Sequence, residues 1–479
     1  MSVVEGARVD TGAGEVPARL DGRLRLVLGV LLVAQFMLAV DFSILNVALP
    51  VIGDGLGFSL SNLQWIATSF ALCAAGFTLL FGRVADLFGR RRLFLVGLAV
   101  LGLSSLAGGL ANSPEMLIVA RVFQGLATAA VTPAGLSLLT TSFPEGALRQ
   151  KALGLNGALM SAGFTTGAIL GGVLTDLLSW RWTFFINVPV ALAVLLIAPT
   201  VIKESRPSAR PKPDLPGATA VTLGLLALVY GLTQAGEHGW GAPSALGWPA
   251  AGVVLLIVFY AIESRSAAPL VPVGVLKKKT VAWGNIAGLI AFLTETSLVF
   301  LMTLYLQEVL DFSPLTAGLS FGVLGVGTVI GGSVAPRVIG AVGTRSTLIV
   351  GGVLQAVATL SLVALGETSA SMWLLLVATF AGGVGNMLVI VGFMVTATTG
   401  LPDHEQGMAT GLATMTQQIG ITMGTPIMSA VAAANTDIQA GITTAVIVNT
   451  AIVVLGILTT VLFLRTKQRS RDGLAPRQV

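Results

Sequence analysis

The sequence predicts an all-α polytopic membrane protein, two six-helix bundles with two additional spans between them and both chain ends on one side. Three observations predict it. Of the 479 residues, 54% are hydrophobic and only 10% charged, against roughly a quarter charged in soluble domains. Apolar stretches recur from Leu24 to Leu464, each near the length that crosses about 30 Å of hydrocarbon at 1.5 Å per residue. Lys and Arg are confined almost wholly to alternate connections, as the positive-inside rule requires of cytoplasmic ones.

Taken in order, about fourteen spans are expected near 25–47, 62–81, 93–112, 116–140, 151–174, 183–203, 216–236, 247–264, 281–305, 314–335, 346–366, 372–397, 407–433 and 441–464. Residues 1–24 form a cytoplasmic tail. No cleavable leader is expected there, because Glu5, Asp10, Glu15 and Asp21 precede any apolar core. Residues 25–203 form the first bundle, 204–279 a linker with the two extra spans, 280–464 the second bundle and 465–479 a basic tail.

Of the 27 basic residues, only Arg121 and Arg181 escape the cytoplasmic side. The net charge of +5 therefore reflects topology and not affinity for nucleic acid. The single cysteine, Cys73, lies in an apolar run, and His238 and His404 are expected in loops, so no disulfide frame or His/Cys metal cluster is available. No GxxxxGK[ST] loop is present, and no cofactor is expected. A membrane enzyme lacks its nucleophile and base here, and a sensor would need a longer soluble loop.

The halves echo each other. Gly82-Arg83-Val84-Ala85-Asp86 through Gly89-Arg90 resembles Gly332-Ser333-Val334-Ala335-Pro336-Arg337 through Gly343-Thr344-Arg345, each after the second span of its half. Charges within the spans draw attention next, since intramembrane ionisable groups are costly and functional by default. Asp41 lies deep in the first span and Glu295 in the first span of the second half. Burial favours the neutral acid and a nearby cation favours the carboxylate, so one acid can exchange a proton for a cation. A structural carboxyl is the plainer alternative for Asp41, and for Glu295 a residue lining a wet cleft. Arg121 reads as a coupling residue, a fixed ion pair or a snorkelling side chain.

The loop from Gly82 to Arg92 closely resembles the signature between spans two and three of the major facilitator superfamily. Asp41-Phe42-Ser43-Ile44-Leu45-Asn46-Val47-Ala48-Leu49-Pro50, Arg121-Val122-Phe123-Gln124-Gly125, and Trp180-Arg181-Trp182 with Phe185-Ile186-Asn187-Val188-Pro189 narrow the resemblance to fourteen-span drug/proton antiporters of the EmrB/QacA type. That resemblance implies a monomeric exporter in a bacterial-type plasma membrane, moving a small hydrophobic or cationic compound against protons. Dedicated metabolite export and uptake stand as alternatives. Coupling at Asp41 and Glu295 is expected from their place within spans; the resemblance favours coupling at Arg121 and implies a cytoplasmic latch of Gly82, Arg83, Asp86, Gly89 and Arg90. Asn46, Gln124, Met302, Gln417 and Gln418 are candidate pocket residues; interhelical bonding is the plainer role of the glutamines. The fifth-span motif carries Ala168 where the family has proline. Gly163, Gly167 and Gly171 recur every four residues on one helix face. With Gly327 and Gly331 of the tenth span they are expected to form a contact between halves, static or rocking.

Overall fold

The computed structural model describes residues 21–58, 63, 65–143, 147–204, 214–266, 269, 274, 277–398 and 403–464. The N-terminal residues 1–20 and the basic tail 465–479 lie outside them. Helices follow the apolar stretches in order: α1 (Gly22–Leu56), α2 (Trp65–Phe88), α3 (Arg90–Gly109), α4 (Pro114–Ser142), α5 (Ala147–Leu177), α6 (Trp182–Val201), α7 (Leu215–His238), α8 (Pro243–Glu263) and α9 (Lys279–Leu304). A π-helical turn, Tyr305–Val309, extends α9. The stretch Pro314–Ser361 breaks at Gly343 (φ 82°, ψ 163°), giving α10 (314–342) and α11 (344–361). Then come α12 (Met372–Thr398), α13 (Asp403–Ala432) and α14 (Ile438–Phe463). Among the described residues, eleven helical stretches are long and apolar enough to cross a membrane.

Local chemistry sets several starts. Ser113, Ser313 and Asp437 cap α4, α10 and α14 by accepting from the backbone N–H groups of Met116, Thr316 and Ala440. Pro114 and Pro314 take the first helical position, where no N–H is needed. His238 and His404, expected in loops, fall instead in the last turn of α7 and the first turn of α13. Leu103, Leu196, Ile257, Trp373 and Leu462 are exposed on the outer faces, a surface that suits a lipid solvent and not water.

The echo between halves becomes geometry. Gly89 (φ 112°) separates α2 from α3 as Gly343 separates α10 from α11. Two residues on, Arg91 donates to the Ile202 carbonyl at 2.9 Å and Arg345 to the Val461 carbonyl at 2.9 Å, each at the end of the sixth helix of its half.

In lipid, helices associate through close packing of small residues instead of hydrophobic drive, and here the expected glycine contact is corrected. Gly163 and Gly167 face α1: a Cβ there would lie 2.9 Å from the Phe36 carbonyl oxygen and 2.6 Å from that of Val40, and Gly171 abuts the Ile44 carbonyl. Gly327 and Gly331 face α12, against the Phe380 and Val384 carbonyls. Both stripes therefore pack within their own halves. Helices α5 and α10 do meet, but through Thr165, Ala168 and Gly172 against Pro314, Gly318 and Gly325. The reason is helical phase: Gly172 lies about 100° round the helix from Gly171, enough to turn it from one neighbour to another.

One apolar core joins the two halves near the connections at 56–65 and 110–114, combining Ile44 to Ile52 and Trp180 with Leu298 to Leu306 and Phe321. There Gln307 of the second half donates to the Val47 carbonyl at 2.9 Å. Toward the opposite end the cores are separate, one around Phe94 and Leu138 and another around Phe393 and Leu348.

Candidate functional site

Asp41 sits mid-way along α1 with no exposed surface, and Arg121 of α4 is 1% exposed beside it. The Arg121 Nη1 stands 3.5 Å from Asp41 Oδ2. The guanidinium spends its hydrogen bonds elsewhere: Nε donates to the Ile66 carbonyl at 3.0 Å, Nη1 to Gln124 Oε1 at 2.9 Å, and its carbon lies 4.0 Å over the Phe70 ring. Snorkelling is thereby excluded. The fixed-pair alternative describes this conformation.

The other carboxylate oxygen, Oδ1, accepts from Asn187 Nδ2 and, at 3.4 Å, from Gln124 Nε2. Both amides also donate to Ser105 Oγ, at 3.3 and 2.8 Å, so each divides its two hydrogens between the acid and the serine. Oδ2 receives no hydrogen bond. A buried ion pair repays its desolvation only when its remaining valences are satisfied, and this one keeps a single oxygen open. Gln124 is a member of this network and fully buried, not the wall of a pocket. Ser105 and Asn187 are neighbours of the pair that the sequence did not disclose as such; Asn187 stood there only as part of the span-six motif, with no sign that it reaches Asp41.

The second half repeats the plan on α9, α11, α12 and α14. Asn449 Nδ2 donates to Ser297 Oγ at 2.8 Å and to the Thr294 carbonyl at 3.1 Å; Gln355 Nε2 donates to Thr294 Oγ1 at 3.0 Å; Asn386 Nδ2 donates to the Ala291 carbonyl at 3.0 Å. Glu295, Met302, Gln355, Thr379 and Asn386 line a cavity of about 20 Å³. That holds about one water, whereas drug sites run to several hundred cubic ångströms. Glu295 and Met302 thus come together as candidates, at a site sized for an ion or a water. Asn46 and Gln417 join neither cluster, and the side chain of Gln418 lies outside the described residues.

In the last two turns of α2, Arg83 donates to the Pro269 carbonyl at 2.6 Å, tying that helix to a residue that precedes the second half. The Asp86 side chain lies outside the described residues, so its role in the latch rests on the resemblance. Glu204, unremarked in the sequence, caps α3: its carboxylate accepts from the backbone N–H groups of Arg91 at 3.0 Å and Arg92 at 3.2 Å, where the helix dipole favours negative charge. A Cβ on Gly89 would lie 2.8 Å from that carboxylate. Gly82 has only an ordinary contact at 3.8 Å with Pro133. Gly89→Ala is therefore expected to cost about 1–3 kcal/mol through its backbone conformation alone, and to displace Glu204, whereas Gly82→Ala leaves stability nearly unchanged. Thermal unfolding of the two purified variants measures the difference; equal melting temperatures would contradict it.

The Major Facilitator Superfamily model matches residues 31–425. The chain is 37% identical over 406 residues to the puromycin resistance protein pur8 of Streptomyces alboniger, covering 84% of this chain and 80% of that one. It is 38% identical over 408 residues to the cephamycin export protein CmcT of Amycolatopsis lactamdurans, covering 84% of each. It is 32% identical over 424 residues to the tetracenomycin C resistance and export protein of Streptomyces glaucescens, covering 87% and 78%. In fold it is similar to the human organic anion transporter MFSD10, with a TM-score of 0.62 at 16% identity over 92% of this chain and all of that one. These neighbours are carriers and not enzymes, and the chain, an all-helical transporter embedded in a membrane, belongs to the Major Facilitator Superfamily.

Proposed function

We propose that this protein is a fourteen-span proton-coupled exporter of an antibiotic or a similar hydrophobic or cationic compound, working as a monomer in a bacterial plasma membrane with both ends cytoplasmic. The observation that carries the reading is the Asp41–Arg121 pair, sealed in the first bundle with one carboxylate oxygen free of hydrogen bonds. A proton arriving at Oδ2 removes the charge that holds Arg121, and the freed guanidinium must find new partners or a new position. In this conformation the proton therefore competes with Arg121 for the acid, and the cargo is linked to that exchange through the movement of the halves. Joined cores at one end and separate cores at the other correspond to a state closed outside and open to the cytoplasm. One charge entering across 100 mV supplies about 2.3 kcal/mol.

The three relatives described above are each called after a single antibiotic, which supports the narrower form of this reading, while a relative from Mycobacterium tuberculosis, 31% identical over 401 residues, is called a multidrug resistance protein and supports the broader one. In inverted vesicles carrying a preformed proton gradient, addition of the cognate compound is expected to dissipate the gradient, and a panel containing puromycin, a cephamycin and a tetracenomycin should show one responding class. Compound accumulation with the gradient untouched would refute proton coupling, and comparable responses to all three would refute dedication to one.

A further inference from the structure

The network around Asp41 lacks one donor, and the lack falls on two side chains that already touch. Gln124 Oε1 accepts from Arg121 Nη1 at 2.9 Å, Ser105 Oγ from Gln124 Nε2 at 2.8 Å and from Asn187 Nδ2 at 3.3 Å, and the Ile66 carbonyl from Arg121 Nε at 3.0 Å. Asp41 Oδ1 accepts from Asn187 and Gln124. Two acceptors of the network remain without a donor, Asp41 Oδ2 and Asn187 Oδ1. Asp41 has no exposed surface and Asn187 is 1% exposed, and buried acceptors are rarely left so.

The orientation of the Asn187 amide follows from the charge on its neighbour. With Asp41 ionised, Nδ2 must face the carboxylate, because the reversed amide would set oxygen against oxygen. Oδ1 is thereby turned to where it finds no donor. The two orphaned oxygens are the free ends of two planar groups joined at their other ends by the bond from Asn187 Nδ2 to Asp41 Oδ1. The terminal torsions of Asp and Asn are soft, so little motion is needed to bring the free ends together. Two acceptors cannot bond to each other, but one proton placed between them satisfies both.

We propose that Asn187 is the positioning residue that holds the coupling proton on Asp41: when Oδ2 takes up a proton, the new O–H donates to Asn187 Oδ1, while Asn187 Nδ2 continues to donate to Asp41 Oδ1. The proton comes from solution, no covalent bond besides the new O–H is made or broken, and Arg121 keeps its charge. Arg121 Nη1, 3.5 Å from Oδ2, is a donor only and cannot receive that hydrogen. Protonation therefore replaces the charge contact between α1 and α4 by a second bond between α1 and α6, so the neutral acid stays held and only Arg121 is released. Arg121 is the one charged group acting on Asp41 among the described residues. Helices α3 and α6 bring Ser105 and Asn187, and α5 meets α1 through the Phe164 carbonyl and its glycines, none of which titrates. The inference rests on the reading of Asp41 as the coupling acid and deepens it.

Infrared difference spectra between alkaline and acid buffer test it, recorded on the purified full-length protein in lipid nanodiscs with isotope-labelled asparagine side-chain carbonyls. Acid is expected to raise a carboxylic C=O band that Asp41→Asn lacks, at the low frequency of a hydrogen-bonded acid. In step with it one labelled asparagine carbonyl should shift down, a response missing from both Asp41→Asn and Asn187→Leu. In Asn187→Leu the carboxylic band should move up to the position of an acid whose O–H has no acceptor. The wild-type carbonyl response is read whether or not that variant folds. A carboxylic band unmoved in Asn187→Leu, or wild-type asparagine carbonyls that ignore the protonation of Asp41, overturns the proposal and leaves proton coupling at Asp41 intact. Absence of any Asp41-dependent band over the pH range in which the protein stays folded overturns both.

Discussion

Arg121→Leu is expected to destabilise the first bundle by about 3–5 kcal/mol, because it leaves a fully buried carboxylate without its counter-charge. The loss extends past the pair. The Ile66 carbonyl and Gln124 Oε1 lose their donor, and the Phe70 ring loses the cation above it. Asp41→Asn is expected to be damaging for the mirror-image reason, since it strands the guanidinium. Combining the two, Asp41→Asn with Arg121→Leu, removes both charges together, and replacement of a whole buried ion pair is often neutral. The double variant should recover most of the stability while moving its compound without any response to a proton gradient. Thermal unfolding of the purified proteins and gradient-dependent uptake into inverted vesicles read the two properties separately. Gradient-driven export by the double variant would refute the coupling role, and additive stability losses would refute the pairing.

Much of this architecture was legible because it depends on one-dimensional signals. Apolar run length, basic loops and the glycine-ended echo are properties of contiguous residues, and the turns at Gly89 and Gly343 appear where the echo placed them. The acid and base of the first half were legible too, since a lone charge in a span has few outcomes. What escaped was helical phase and partner identity. Gly171 and Gly172 are neighbours in sequence yet serve α1 and α10 respectively, a distinction that requires knowing which way α5 is rotated. Ser105, Asn386 and Asn449 escaped because a single amide or hydroxyl in an apolar helix carries no pattern, and the partners of Asn187, though it lies in a motif, come from helices far away in sequence. Glu204 escaped for another reason: its role depends on where the linker begins, which a boundary good to a few residues does not give.

The phase difference between adjacent glycines yields the second large effect. Gly172→Ala is expected to unseat the closed end of the transporter, whereas Gly167→Ala damages the fold. At Gly172 an added Cβ meets the Pro314 carbonyl and lies 3.1 Å from the Gly318 Cα, backbone on both sides of the boundary between halves. Neither backbone can yield within its own helix, but the two halves can part, so the strain falls on the closed conformation alone. At Gly167 the obstacle is the Val40 carbonyl at 2.6 Å, inside one bundle, and no rearrangement of the halves relieves it. Overpacking of about 1–3 kcal/mol would move the balance between conformations by about 5- to 150-fold. A reporter cysteine at Gln307→Cys, with Cys73→Ser, sits where the Gln307 amide reaches the Val47 carbonyl and seals that end. Its labelling by an impermeant reagent should rise with Gly172→Ala and export should fall, while melting temperature changes little; with Gly167→Ala the melting temperature should fall and labelling of the folded fraction stay at its original level. If the two substitutions produce the same labelling and the same melting behaviour, the boundary between halves does not run through Gly172.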